Sequence, residues 1–250
     1  MNLQEWVDHY LWQGGDMIYL IDNGSTDSPL EILQPYIDAG KLLYIYRPQK
    51  HKQLEHYSAM YRQWKIKQQV DWLIVADMDE FWFSPDTTIK DTLMGASLAP
   101  WGEGVDVIYC NWSLFGSNGH KKHPDGLRQN FTARAEHLHA NCKWICRTEN
   151  LLYWNIGLHT VRGFDSARTI NGNSLFQLNH YIIQSEEYWR KVKLTRGDAS
   201  TINNDHMRTM EYFHNVDRSM NRQDILLADR VKSRALDFQE PHQAAGSATR

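Results

Sequence analysis

Leu3, Trp6, Val7, Tyr10 and Leu11 recur at helical spacing, and the "QGG" behind them predicts where that helix stops. A short buried strand, "MIYLI", follows and ends at Asp22. "DNGSTDSPLEILQPYIDAG" then supplies a turn, the cap candidates Thr26, Asp27 and Ser28, and a proline at the first helical position. Leu30, Leu33 and Ile37 share one face of the predicted helix, and Gly40 marks its end. "KLLYIYR" is the next strand. Leu54, Tyr57, Tyr61 and Trp64 mark another amphipathic helix, and "WLIVADMD" is a third strand. Strands alternating with helices predict an α/β layered domain with a mostly parallel central sheet flanked by helices.

The second half is less regular. "DVIYCNWSLFGSNGHKKHPDG" reads as a strand running into a loop rich in Gly, Asn and His, and "SLFQLNHYII" as a strand interrupted by polar residues. Ser185 can cap a helix with Glu186 and Glu187 in its first turn and Arg190, Lys191 and Lys193 in its last, the order the helix dipole favours. "FQEPHQAAGSATR" lacks periodicity, so one domain over residues 1–237 and a disordered tail over 238–250 are expected.

In parallel α/β sheets ligands bind beyond the carboxyl ends of the strands, and Asp22 and the cluster Asp77, Asp79 and Glu80 all follow apolar runs at such ends. Strand stability gives no reason for three carboxylates there. Asp77 and Asp79 stand at i and i+2, which on an extended strand end places both on one side, with Met78 opposite. Two hard oxygen ligands on one side suit Mg²⁺ or Mn²⁺, with the remaining positions left to water and to the phosphates of a nucleoside diphosphate. An isolated D-x-D is short and common, and its ordinary reading is a helix cap or a solvated strand end. The second acidic strand end at Asp22 is what strengthens the metal reading.

Composition removes several alternatives. The 250 residues suit one large domain, and a formal charge of −3 gives no electrostatic reason to expect nucleic acid as a partner. "MNLQEWVDHY" lacks a basic segment leading into an apolar one, and no run approaches the ~18 apolar residues of a membrane span. A cytoplasmic protein is expected, at most peripheral to a membrane. Three cysteines, Cys110, Cys142 and Cys146, fit a reducing compartment. "HLHANCKWIC" brings His137, His139, Cys142 and Cys146 together, but without a C-x2-C knuckle or a second half it argues against zinc.

Five ordered blocks carry a resemblance. "EWVDHYLWQGGDMIYLIDNGSTD", "WLIVADMDEF", "WSLFGSNGHKKHPDGL", "HTVRG" and "LNHYIIQSEEYWRKVKLTRG" together resemble glycosyltransferases of the GT-A fold, in the branch related to family 92 and akin to family 2, over roughly residues 3–197. The resemblance implies a metal-dependent, hexosyltransferase-like enzyme moving a sugar from a nucleotide-diphosphate donor to a glycan, lipid-linked or small-molecule acceptor. It implies that Asp22 contacts the base or ribose, that Asp77 and Asp79 form the D-x-D pair, and that His180 completes the metal site. Trp112, Phe115, Gly116, Gly119 and His120 match the block bordering donor sugar and acceptor. Lys143, His159, Arg162, Lys191 and Arg196 supply groups able to meet the diphosphate.

An inverting enzyme also needs a base beside the acceptor hydroxyl, for which Asp125, Glu149, His159 and Asp165 are all candidates. Two other readings stay open: a non-catalytic or truncated relative that binds nucleotide or glycan, and a nucleotidyltransferase, although no Gly- and Arg/Lys-rich phosphate loop is visible. Relatives of this type carry a strand and an Asn-Glu pair before the segment matching "LQEW", so the sheet is expected to lack its first strand, through truncation, misannotation or rearrangement.

Overall fold

Trp6, Val7 and Tyr10 fall on the buried face of α1 (Leu3–Trp12), as their spacing predicts. The helix closes in a Schellman motif, Gly15 N–H donating to Tyr10 O at 2.9 Å and Gly14 N–H to Leu11 O at 3.1 Å. Gly14 has φ +87°, and an added Cβ there would lie 2.5 Å from Lys90 Cβ. β1 (Ile18–Asp22), α2 (Pro29–Asp38), β2 (Leu42–Tyr46), α3 (Gln53–Gln63) and β3 (Trp72–Ile74) continue the alternation. Ser28 is the N-cap of α2 and Pro29 its first residue.

The chain runs on through β4 (Glu80–Phe83), α4 (Ile89–Gly95), β5 (Val107–Leu114), β6 (Ala133–Arg134), β7 (Cys142–Arg147), β8 (Thr169–Asn171) and β9 (Gln177–His180). Ser185 caps α5 (Glu186–Tyr188), its side chain accepting from Tyr188 N–H. That helix passes into a π-helical turn at Trp189–Lys193 and returns to α geometry in α6 (Leu194–Arg196). α7 (Met210–Arg218), β10 (Arg222–Gln223) and α8 (Leu226–Asp237) complete the described chain. This computed structural model describes residues 2–96, 99–196 and 208–237, so the expected tail at 238–250 lies outside the described residues.

The central sheet is mixed, which corrects the expectation of a mostly parallel one. Its strand order is β3-β7-β5-β9-β4, with β8 also on β5. β3 and β5 both run antiparallel to β7, β4 runs antiparallel to β9, and only the β5 pairs with β8 and β9 are parallel. The regular alternation of helix and strand stops at β3. The antiparallel partners lie far apart in sequence, β3 with β7 and β4 with β9, so strand direction is set by long-range pairing and not by the local helix–strand alternation. The sheet separates two apolar layers: Ile145 of β7 joins the main core with Trp6, Phe81 and Phe176, while Trp144 and Cys146 face a second cluster with Tyr61 and Leu151.

β1 and β2 form a separate parallel pair. Ile18 N–H donates to Lys41 O and Arg47 N–H to Asp22 O, so alternation turns the backbone groups of Tyr19 and Ile21 away from β2. Thr148 N–H donates to Asp71 O, so by the same rule Trp72 and Ile74 turn theirs away from β7. Among the described residues neither outer edge has a partner strand, and both β1 and β3 line one cavity of about 1100 Å³.

α1 is fixed to the sheet partly by His9, which is fully buried. Its Nε2 lies 2.6 Å from Trp82 O and its Nδ1 3.3 Å from Arg128 Nη1. A carbonyl only accepts and a guanidinium only donates, so the ring is the neutral Nε2–H tautomer. Burial, and then the charge of Arg128, hold its pKa well below 6.5. The unfolded chain therefore binds a proton below about pH 6.5 that the native chain does not, and stability falls as pH is lowered through that range. We expect His9→Gln, whose amide can serve both partners, to remove up to ~1.4 kcal/mol per pH unit of that slope in urea unfolding between pH 7 and 5; an unchanged slope would contradict the assignment.

Candidate active site

β3 leaves its ladder after Ile74, and Asp77–Glu80 form a turn closed by Glu80 N–H donating to Asp77 O at 2.9 Å. Asp77 and Asp79 thus stand on a turn between β3 and β4, not on the extended strand end expected from the sequence. Met78 packs against the main core. Asp77, Met78 and Asp79 all line the cavity. α1 holds the turn from behind: Trp6 Nε1 donates to Asp77 O at 2.9 Å and Tyr10 OH to Glu80 O at 3.0 Å. Glu80 Oε2 accepts from Asp77 N–H at 2.9 Å, so the third carboxyl group braces the turn.

Each of the two aspartates has its own ammonium. Lys143 Nζ lies 2.9 Å from Asp77 Oδ2, while Gln53 Nε2 donates to Asp77 Oδ1 at 2.9 Å. Lys193 Nζ donates to Asp79 Oδ2. Burial acts to raise both acids, but Lys143 outweighs it at Asp77, and Lys193 with His180 outweighs it at Asp79, which is held well below the usual carboxylate range. Glu80 goes the other way. It is completely buried, and burial together with the Asp77 charge pushes its pKa well above 4.5. Burial acts to lower the Lys143 pKa, but Glu80 and Asp77 outweigh it and raise the pKa, so the side chain is an ammonium despite being 1% exposed.

β9 delivers His180 opposite Glu80 in the β4 register. Its Nε2 is 3.6 Å from Asp79 Oδ1, and its Nδ1 is buried with no hydrogen-bond partner among the described residues. Trp112 packs against this ring at 4.4 Å between centroids, with His139 stacked on it and His159 edge-on, and Trp112 Nε1 is also buried without a partner. His159 Nδ1 is 3.1 Å from Cys142 O; the carbonyl must accept, so Nδ1 carries the proton and Nε2 is left with a free lone pair. Burial, then Lys143, lower the His159 pKa, which keeps that ring neutral. Asp77, Asp79, Trp112, Lys143, His159, His180, Lys193 and Arg196 all line the cavity.

Other sequence candidates stand elsewhere. Asp22 is 5% exposed and outside the cavity lining; its Oδ1 accepts from Gly24 and Ser25 N–H at 3.0 and 2.7 Å, and its Oδ2 from Tyr44 OH at 2.8 Å, while Asn23 lines the cavity instead. Asp165 lies outside the lining too and caps a short 3-10 turn through Ala167 N–H. Arg162 is exposed, and Lys191 pairs with Glu187 at 2.6 Å on the surface. Of Trp112, Phe115, Gly116, Gly119 and His120, only Trp112 lines the cavity. Phe115 is core, and Gly116 lets α7 approach, since a Cβ there would lie 2.6 Å from Met220 Cγ. Gly119 N–H donates to Ser117 Oγ, and His120 Nε2 donates to Asn130 O at 3.0 Å. Sequence reading assigned no site role to Gln53, Tyr57 or His139, and treated Lys193 as a dipole-compensating charge. Its spacing of four from the buried Trp189 is the signal that places Lys193 on the inner face.

A family model described as glycosyltransferase family 92 matches residues 1–226. The chain belongs to glycosyltransferase family 92. No curated protein matches it. The family 92 match runs from α1 to the start of α8 and takes in every cavity residue named above. In this family 92 chain the mixed sheet with its helices is consistent with a glycosyltransferase fold. Among the described residues no helix is long and apolar enough to cross a membrane, and all three cysteines are free.

The donor chemistry at Asp77, Asp79 and His180, two carboxylates and an imidazole, suits Mn²⁺. As the side chains stand, no three His, Cys, Asp or Glu groups among the described residues converge as a metal site, and Asp79 is paired with the Lys193 ammonium. Lys143→Met should leave Asp77 without its ammonium and, since that carboxylate is partly solvated, cost about 1–3 kcal/mol in urea unfolding. Glu80→Gln copies the protonated acid and should cost less than about 1 kcal/mol; equal losses in the two variants would show that Glu80 is ionised.

Proposed function

We propose that this family 92 glycosyltransferase moves a hexose-type sugar from a nucleoside-diphosphate donor to a glycan, lipid-linked or small-molecule acceptor, with Mn²⁺ or Mg²⁺ held by Asp77, Asp79 and His180. The observation that carries this reading is the meeting of the D-x-D turn, an imidazole and two buried lysines at one end of a cavity of about 1100 Å³. That volume is at the upper end of the ~300–1,000 Å³ of small-molecule pockets and is ample for a nucleotide sugar. When bound, the cation would supply neutralisation of the charge that develops on the departing diphosphate.

The chain's own groups do the rest. Lys143 and Lys193 bring positive charge to the diphosphate, where it stabilises the departing group. Trp112 Nε1 and His180 Nδ1 are buried groups without a hydrogen-bond partner among the described residues, and a ligand's oxygens and hydroxyls supply partners for both. His159 Nε2, with its lone pair free, takes the acceptor hydroxyl proton as the new glycosidic bond forms. Its neutral state near pH 7 is the one that role requires.

Calorimetric titration with UDP and with GDP, each with and without MnCl₂, tests the donor site. One of the two should bind only with Mn²⁺. Asp79→Asn should weaken that binding by more than the roughly 10–100-fold that loss of an outer-shell partner costs. An Asp79→Asn protein that is folded and binds as tightly as the parent would reject the assignment.

A further inference from the structure

Lys193 differs from the other cations around the cavity in how it is delivered. It is the last residue of the π-helical turn Trp189–Lys193, a rare geometry associated with functional positions in helices. Trp189 is 2% exposed and Lys193 6%, so the turn directs both inward. The backbone is held at both ends: Ser185 caps the helix, and Arg208 Nη1 lies 3.4 Å from Lys193 O. An amphipathic side chain of this length normally keeps its head in water. Here the head is buried on Asp79, the one aspartate that also approaches His180.

Charge counting gives the consequence. Asp77 with Lys143 and Asp79 with Lys193 make two neutral pairs, and the interior disfavours any unbalanced addition. A divalent cation entering alone would add two positive charges and expel the ammonium from Asp79, the carboxylate it pairs with among the described residues. A nucleoside diphosphate entering alone would add negative charge beside Asp77 and Asp79. Entering together, they leave the sum near zero, and the ammonium displaced from Asp79 meets a phosphate oxygen within the same cavity.

We propose that Lys193 is a positioning residue that holds the cation's place on Asp79 and yields it only when metal and diphosphate arrive together, turning from the carboxylate to the phosphate. The inference rests on the donor-site reading above. It makes metal and nucleotide binding mutually dependent, and it makes Lys193 the source of that dependence. By linkage the same factor appears whichever ligand is titrated first.

The test is the affinity for Mn²⁺ alone, read from the electron paramagnetic resonance signal of the free ion, with and without saturating UDP or GDP. In the parent protein the nucleotide should tighten Mn²⁺ binding by about tenfold or more. Lys193→Gln should tighten Mn²⁺ binding without nucleotide by about tenfold or more, and weaken nucleotide binding at saturating Mn²⁺, so that the mutual dependence shrinks. Lys193→Arg keeps a cation on Asp79 and should behave as the parent. A folded Lys193→Gln protein with unchanged or weaker Mn²⁺ affinity overturns the inference while leaving the donor site intact. Should Lys193→Gln fail to fold, parent protein whose Mn²⁺ affinity ignores the nucleotide overturns it equally. Nucleotide binding that needs Lys193 but no metal would make the lysine itself the resident cation, and overturns it too. Parent protein that binds neither nucleotide under any condition removes both the inference and the reading beneath it.

Discussion

Ionised carboxylates are not left in a protein interior without positive charge beside them, and much of this architecture serves that requirement at a single turn. Asp79 is 8% exposed and Glu80 not at all, yet both follow a strand of purely apolar residues. The compensating groups come from far along the chain, Lys143 at a separation of 66 residues from Asp77 and Lys193 at 114 from Asp79. The second half of the chain therefore completes a site that the first half begins. Three of its strands each deliver one group, with Lys143 on β7, His180 on β9 and Trp112 on β5.

Strand parity is what makes these deliveries converge. Lys143 shares its face of β7 with Ile145, and Trp112 shares its face of β5 with Ile108 and Cys110, so both end on the side of the main core. Lys143 is the first inward position of β7 and Trp112 the last but one of β5, so each lies near a strand end, buried and still lining the cavity. Glu80 is the first residue of β4, fully buried, with one oxygen on the Asp77 backbone N–H and 3.6 Å from the Lys143 ammonium.

The sequence made the first half of this plan readable, because helices and strands there announce themselves by period, and because glycine and proline mark their ends. The D-x-D turn was visible for the same reason: an apolar run that stops in carboxylates has few explanations. Direction was not readable, since the spacing of "SLFQLNHYII" or "CKWICR" says strand without saying which neighbour it pairs with. Lys193 was hidden by its composition, being one of several basic residues at a helix end. Asp22 stands apart from the turn. Its oxygens accept from its own loop and from Tyr44, and it lies outside the cavity lining, which the strand-end position alone did not foretell.

The separation of the β1–β2 pair from the main sheet has a mechanical meaning. No hydrogen-bonded ladder among the described residues joins it to the six-stranded sheet, so force between the two halves of the cavity wall travels through side chains. α1 makes that link: Tyr36 OH on α2 donates to Asp8 at 2.6 Å, and two residues earlier Trp6 Nε1 donates to the backbone of Asp77 and Glu80. The two walls of the cavity are thus joined at the carboxylate turn by one helix and its side chains, and not by a shared ladder.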